Sequence, residues 1–210
     1  THVGGATTTI SIGTHFYRND IITGGDDGVE ADHCLRNNTF YDNRITNAMT
    51  FLSLDPLYGG PFLFARNICF NTGRPPFKWN STNSGQFIYS NTLIHTTTVF
   101  GVYSIPSGEA GWYQSNDGPQ RSFGYRNNIL VYIGDGTQQL RLDNTGGYDP
   151  IDWDHNSWYP DLTFGWPSGT SANLAAAQAG LAATTPVFSG ITQRMTDDNI
   201  TTANPWTTTI

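Results

Sequence analysis

Five short segments constrain this chain's fold more than any other feature: YRNDII from Tyr17, LRNNTF from Leu35, ARNICF from Ala65, YSNTLI from Tyr89 and YRNNIL from Tyr125. Each places an Asn, namely Asn19, Asn37, Asn67, Asn91 or Asn127, after Arg or Ser and just before a short apolar run. The intervals between them are 18, 30, 24 and 36 residues, which suits a coil of roughly 20 to 25 residues with loop insertions. Helical repeats would keep a fixed period. Asn tolerates the left-handed backbone of a tight turn and can hydrogen-bond its equivalent one coil away. A stack of Asn37, Asn67, Asn91 and Asn127 would therefore satisfy buried polar groups that otherwise cost about 1 to 3 kcal/mol each.

Composition agrees with a turn-rich, all-β chain: 23 Gly among 210 residues and 13% aromatics, with 37% hydrophobic residues. That many aromatics argue against disorder. A net charge of -7 with no run of Lys or Arg leaves no phosphate-tracking surface, so nucleic acid is not expected as a partner. No apolar run approaches the roughly 20 residues of a membrane-spanning helix, and no membrane insertion is expected. The chain opens directly on β-like sequence, THVGGATTTISIG, and is expected to be processed, with an N-terminal cap missing. Cys34 and Cys69 each sit among apolar residues, as buried free thiols do.

Period-2 alternation aligns one strand from each of four coils: Val29-Glu30-Ala31-Asp32, Leu52-Ser53-Leu54-Asp55, Phe77-Lys78-Trp79-Asn80 and Leu140-Arg141-Leu142-Asp143. The apolar members would point inward. The polar members would form two outward columns, Glu30, Ser53, Lys78, Arg141 and Asp32, Asp55, Asn80, Asp143. Neighbouring strands lie about 4.8 Å apart, which would gather Glu30, Asp32, Asp55 and Lys78 into one sugar-sized patch. Crowded carboxylates raise one another's pKa, which lets a general acid and a base coexist near neutral pH. Asp27, Glu30, Asp32, Asp55 and Lys78 are accordingly the candidate catalytic residues; the competing reading is an ordinary solvated β face.

The DPLYGGP turn offers Tyr58 as an aromatic platform for a pyranose ring, and the Pro106 to Gln120 insertion offers Trp112 and Tyr113 as a groove wall. With Arg141 these are the candidate substrate-binding residues. The five His residues show no zinc spacing. No cofactor is expected, although Asp26, Asp27, Glu30 and Asp32 carry oxygen ligands that would suit calcium. SANLAAAQAGLAA, Ser171 to Ala183, reads as one short helix capped by Ser, followed by an extended Thr-rich tail. Asn37, Asn80 and Asn199 lie in N-x-[ST] sequons.

The Asn turns, DDGVEAD, RNNTFYDNRITNA and LYGGPFLFARNICFNTGRPPFKWN together resemble the secreted right-handed parallel β-helix superfamily, which includes pectinases and polysaccharide lyases. The resemblance covers roughly Ile10 to Asn144, and the DHNSWYPDLTFGWPSGTSANLAAAQAGLAATTPVFSG stretch is similar to the tail that follows the last coils in such proteins. It implies a single-stranded right-handed parallel β-helix over 1–148 and a C-terminal extension, 149–210, packed on it. It further implies a secreted or cell-surface protein whose partner is an extended polysaccharide. Hydrolysis would use two of Asp27, Glu30, Asp32 and Asp55 as acid and base. Elimination on a uronic-acid polymer would use Lys78 as base, with calcium held by the acids. The third reading is a non-catalytic β-helix of a fibre, spike or adhesin, with oligomer or fibre assembly as its consequence; fold alone does not choose among them.

Overall fold

The computed structural model describes residues 12–22, 25–73, 75–79, 81, 83–96, 109–114, 120–133, 138–142, 151–159, 163–166, 169–173, 175–176, 179 and 194–195. Their backbone winds as a parallel β-helix. The first coil is β1 (His15–Tyr17), β2 (Asp20–Ile22) and β3 (Val29–Glu30); the second is β4 (Asn38–Tyr41), β5 (Arg44–Ala48) and β6 (Leu52–Leu54). The third is β7 (Phe62–Ala65), β8 (Ile68–Thr72) and β9 (Phe77–Trp79), and the fourth β10 (Asn83–Tyr89), β11 (Thr92–Thr96) and β12 (Glu109–Gln114). Then come β13 (Gln120–Arg126), β14 (Ile129–Ile133) and β15 (Gln138–Leu142), followed by β16 (Ile151–Asp154), β17 (Ser157–Tyr159) and β18 (Thr163–Trp166). Every third strand joins the same sheet, so the first sheet runs β1-β4-β7-β10-β13-β16, the second β2-β5-β8-β11-β14-β17 and the third β3-β6-β9-β12-β15-β18. The winding thus continues past residue 148, through β16, β17 and β18. Beyond it, β19 (Gly169–Ser171) folds back antiparallel on β18, and β20 (Arg194–Met195) extends the first sheet.

Identical positions in successive coils stack, and that fills the interior. In the first sheet Phe16, Phe40, Phe64, Ile88 and Tyr125 share one register position, with Phe40, Phe64, Ile88 and Tyr125 fully buried. In the second, Ile45, Cys69, Leu93, Leu130 and Trp158 stack in the same way. Each such side chain contributes about 1.5 to 3 kcal/mol on leaving water. Cys34 and Cys69 are buried free thiols, and burial pushes the Cys69 thiol well above its ordinary range.

The corner between the first and second sheets carries the Asn ladder, on a different set of residues from the expected one. Its members are Asn19, Asn43, Asn67, Asn91, Asn128 and Asn156. In the first five, both the backbone N–H and Nδ2 donate to Oδ1 of the Asn one coil on, for example Asn43 to Asn67 at 3.0 and 3.0 Å and Asn67 to Asn91 at 2.9 and 3.1 Å. Nδ2 also donates to a carbonyl of the preceding coil, Asn67 to Phe40 and Asn91 to Phe64. The ladder spacing is 24 residues three times, then 37 and 28.

Asn37 and Asn127, expected in this ladder, lie outside it. Both are exposed and left-handed, at φ of 56° and 57°. The residue before every ladder Asn is left-handed: Arg18, Asp42, Arg66, Ser90, Asn127 and His155 have φ between 54° and 59°. In the Asn-Asn pair 127–128 the first residue makes the bend and the second the ladder. The pair 37–38 belongs to another corner, where Asn38 Oδ1 accepts the Thr14 N–H. In both pairs the Asn that directly follows Arg makes the bend.

Near the C-terminus Ala175, Ala176 and Ala179 are helical, and Asn173 Oδ1 accepts the Ala176 N–H. The cap is therefore Asn173 rather than Ser171, which belongs to β19. Of the expected tail, Thr192 to Ile210, Arg194–Met195 is strand β20 of the first sheet, and the rest lies outside the described residues.

Candidate functional site

The outer face of the third sheet brings most of the candidate residues together. Glu30 pairs in register with Ser53, Ser53 with Lys78, Lys78 with Tyr113 and Tyr113 with Arg141. The alternation read from sequence thus gave the right register for Glu30, Ser53 and Lys78, and the stretch expected as a loop insertion supplies Tyr113. Trp112 and Tyr113 belong to β12 instead of a loop, and Trp112 shares the register of Phe77 and Leu140. Trp112, Tyr113 and Arg141 are placed by backbone register alone. Asn80 and Asp143 lie outside the described residues.

Asp27 is the member that sequence spacing placed least well. It sits ahead of β3, where Gly28 presses the backbone onto the core: a Cβ there would stand 2.6 Å from Ile45 Cγ2. That close approach draws Asp27 inward, leaving its side chain 1% exposed. Lys78 reaches back from the third coil to the first, and Nζ donates to Asp27 Oδ2 at 2.8 Å. Ser53, which lies between Glu30 and Lys78 in register, is fully buried although it occupies an outward position. The other Asp27 oxygen, Oδ1, is buried with no hydrogen-bond partner. Burial raises the Asp27 carboxyl above its ordinary range, against the opposing pull of Lys78. Burial tends to lower Lys78, but Asp27, then Asp32 and Asp55, overcome it and the ammonium is held more firmly than usual.

Asp32 is half-buried and accepts a hydrogen bond from Ser53 Oγ at 3.0 Å. Burial pushes its carboxyl up to about 6, only partly countered by Ser53 and Lys78, while the charges of Asp55 and Glu30 push the same way. Asp55, also half-buried, accepts from Ser81 Oγ at 2.9 Å. A carboxyl poised near 6 beside further carboxylates is an acid that can both give and take a proton at neutral pH.

Tyr58 is exposed at the edge of this group, on a turn whose backbone is tightly packed: Gly85, at φ 71°, would bring a Cβ to 2.7 Å from the Gly59 carbonyl. His33, which sequence reasoning passed over for want of metal spacing, holds the tyrosine. Its Nδ1 lies 3.2 Å from the Tyr58 hydroxyl, with the rings 5.5 Å apart. Adjacency to Asp32 was the available signal. Among the described residues no group of three or more His, Cys, Asp or Glu side chains is arranged to hold a metal ion. Compared with family models, with curated proteins and with solved structures, the chain matches none.

Proposed function

We propose that this β-helix binds an extended polysaccharide across its third sheet and hydrolyses it, with Asp32 as the general acid. The observation that carries this reading is the half-buried Asp32 carboxyl, raised to about 6 and oriented by Ser53. Asp55, held by Ser81, is the partner carboxylate for the water or the sugar carbon. Tyr58, steadied by His33, offers a ring at the edge of the same patch. Elimination is the weaker of the two chemistries here. It needs a neutral lysine as base, whereas Lys78 is bonded to Asp27 and held in its charged form. Incubating the protein with a panel of neutral and uronic-acid polysaccharides, reading reducing ends and unsaturated product together, tests the proposal. New reducing ends without unsaturation, lost by at least about a hundredfold in Asp32→Asn, are expected; unsaturated product, or full activity in that variant, would overturn it.

One observation favours the non-catalytic reading. The second sheet exposes Ile22, Ile68, Phe70 and Ile133 on its outer face, an apolar surface that suits side-by-side packing in a fibre or on a cell surface. Under that reading no polysaccharide is turned over, and the protein sediments as a concentration-dependent assembly.

A further inference from the structure

The chain contains a single lysine, Lys78. Its amine donates at 2.8 Å to a carboxyl whose side chain is 1% exposed, and the two residues belong to coils separated by a whole turn of the helix. Surface lysines make ion pairs that water screens and side-chain motion interrupts. This pair is shielded instead: Asp27 follows the closely packed backbone at Gly28 into the interior, and Lys78 is itself only 24% exposed. The second oxygen of Asp27 accepts no hydrogen bond, so the site does not solvate a carboxylate as fully as it would a group with one oxygen fewer.

We propose that Lys78 and Asp27 condense into an amide that covalently ties the third coil to the first. The reaction needs no oxidant, reductant or activating co-reactant. Within the pair a proton passes from Nζ to the Asp27 carboxylate, giving a neutral amine facing a carboxylic acid. The Nζ lone pair forms a bond to Cγ, one bond beyond the oxygen it already touches, and a tetrahedral carbon results. One of the two protons still on nitrogen moves to the departing oxygen, the C–O bond breaks and one water leaves, while the other proton stays as the amide N–H. Asp32 is the relay for those protons, since its charge bears directly on Lys78 and its own carboxyl exchanges a proton near neutral pH.

Two physical circumstances favour the condensation. Reacting groups locked in contact have effective concentrations far above any solution value. Burial also disfavours the charged pair relative to the neutral one. The firm hold of Asp27 on the Lys78 proton makes the neutral pair scarce, which slows the reaction. Yet it need occur only once in the life of each molecule, and a rare species suffices.

The test is the intact mass of the full chain after folding. A chain one water lighter than its sequence is expected. After denaturation its lysine should fail to take an amine-reactive label, and a digest should yield one branched peptide joining the Lys78 and Asp27 segments. Asp32→Asn, which keeps the fold, should slow the appearance of the lighter species at least about tenfold. Lys78→Arg and Asp27→Ala should both show the full sequence mass. A wild-type chain at full mass whose lysine labels completely after denaturation overturns the proposal, and this readout does not depend on any variant folding. Loss of one water with Lys78 still fully labelled also overturns it, because dehydration has then closed a succinimide ring at an Asp elsewhere.

Discussion

The two edges of the second coil solve opposite problems. At the corner between the first and second sheets, Asn43 repeats what Asn19 and Asn67 do, and each bond made there is made again one coil on. On the third sheet the second coil contributes Ser53, flanked by Glu30 on one side and Lys78 on the other, and in that column no residue repeats its neighbour's chemistry. Repetition gives stability because every buried donor meets an acceptor of its own kind. Variation gives a patch of unlike charges in a scaffold that would accept almost any outward residue, and it leaves an unbonded carboxylate oxygen on Asp27. Stability and chemistry are thus written on different faces of the same prism.

The sharpest way to break this contrast is Asn67→Ala. It deprives the buried Asn43 N–H and Nδ2 of their common acceptor and leaves the Phe40 carbonyl without the Nδ2 donor. Each orphaned group costs about 1 to 3 kcal/mol, so the urea midpoint should fall steeply, as calorimetry should also report. The same substitution at Asn37, exposed at its bend, should lower the midpoint far less, since it costs only the roughly 1 kcal/mol of placing alanine in the left-handed backbone there.

Lys78→Met should have the next largest effect. It strands Asp27 in the interior, and breaking a buried pair costs about 3 to 5 kcal/mol; the loss here is expected to be smaller, since Lys78 retains 24% side-chain exposure. The sign with pH is diagnostic. An acid raised by burial destabilises the fold above its folded pKa, so the deficit should shrink as pH is lowered through the carboxylate range. Equilibrium unfolding at a series of pH values measures it, and a pH-independent deficit would mean that Lys78 matters only through packing.

Asp32→Asn should have the smallest effect. Folded Asp32 holds its proton up to about 6, against 3.8 for the ordinary carboxyl. Between those values the folded chain binds more protons than the unfolded one, so wild-type stability should fall as pH rises through this window. Each pH unit is worth at most about 1.4 kcal/mol for a fully expressed shift, and a half-buried group shows only part of it. The variant should lack this slope and gain on the wild type toward neutral pH, as parallel urea titrations would show.

Much of this was legible in the sequence, and the limits have physical causes. Val29-Glu30, Leu52-Ser53 and Phe77-Lys78 could be registered because a strand alternates faces and the interior admits only apolar side chains. The coil existed in the sequence as a period, but its true spacing of 24 was masked at Asn37, which bends another corner while Asn43 makes the ladder, and at 127–128, where the first Asn makes the bend and the second reaches the ladder. Asp27 could be flagged as an acid, but its burial comes from a backbone approach at Gly28 that no alternation encodes. Its partner is drawn from a strand 51 residues away, across an intervening coil. His33 escaped because its work is done on a tyrosine 25 residues distant, through a corner whose path the local sequence does not reveal.

The three ladder steps of 24 residues make the early coils a lattice with translational symmetry. Removing a cassette from Asn43 to Arg66 would join the Asp42 bend directly to Asn67, returning every corner and inward column to an equivalent place. The same excision would remove Ser53 and Asp55 and bring Lys78 alongside Glu30, with Asp27 one strand nearer. Such a protein could fold on the same lattice with its acids in new combinations. In a molecule built this way, gain and loss of whole coils is a route by which surface chemistry can change in one step while the architecture is conserved.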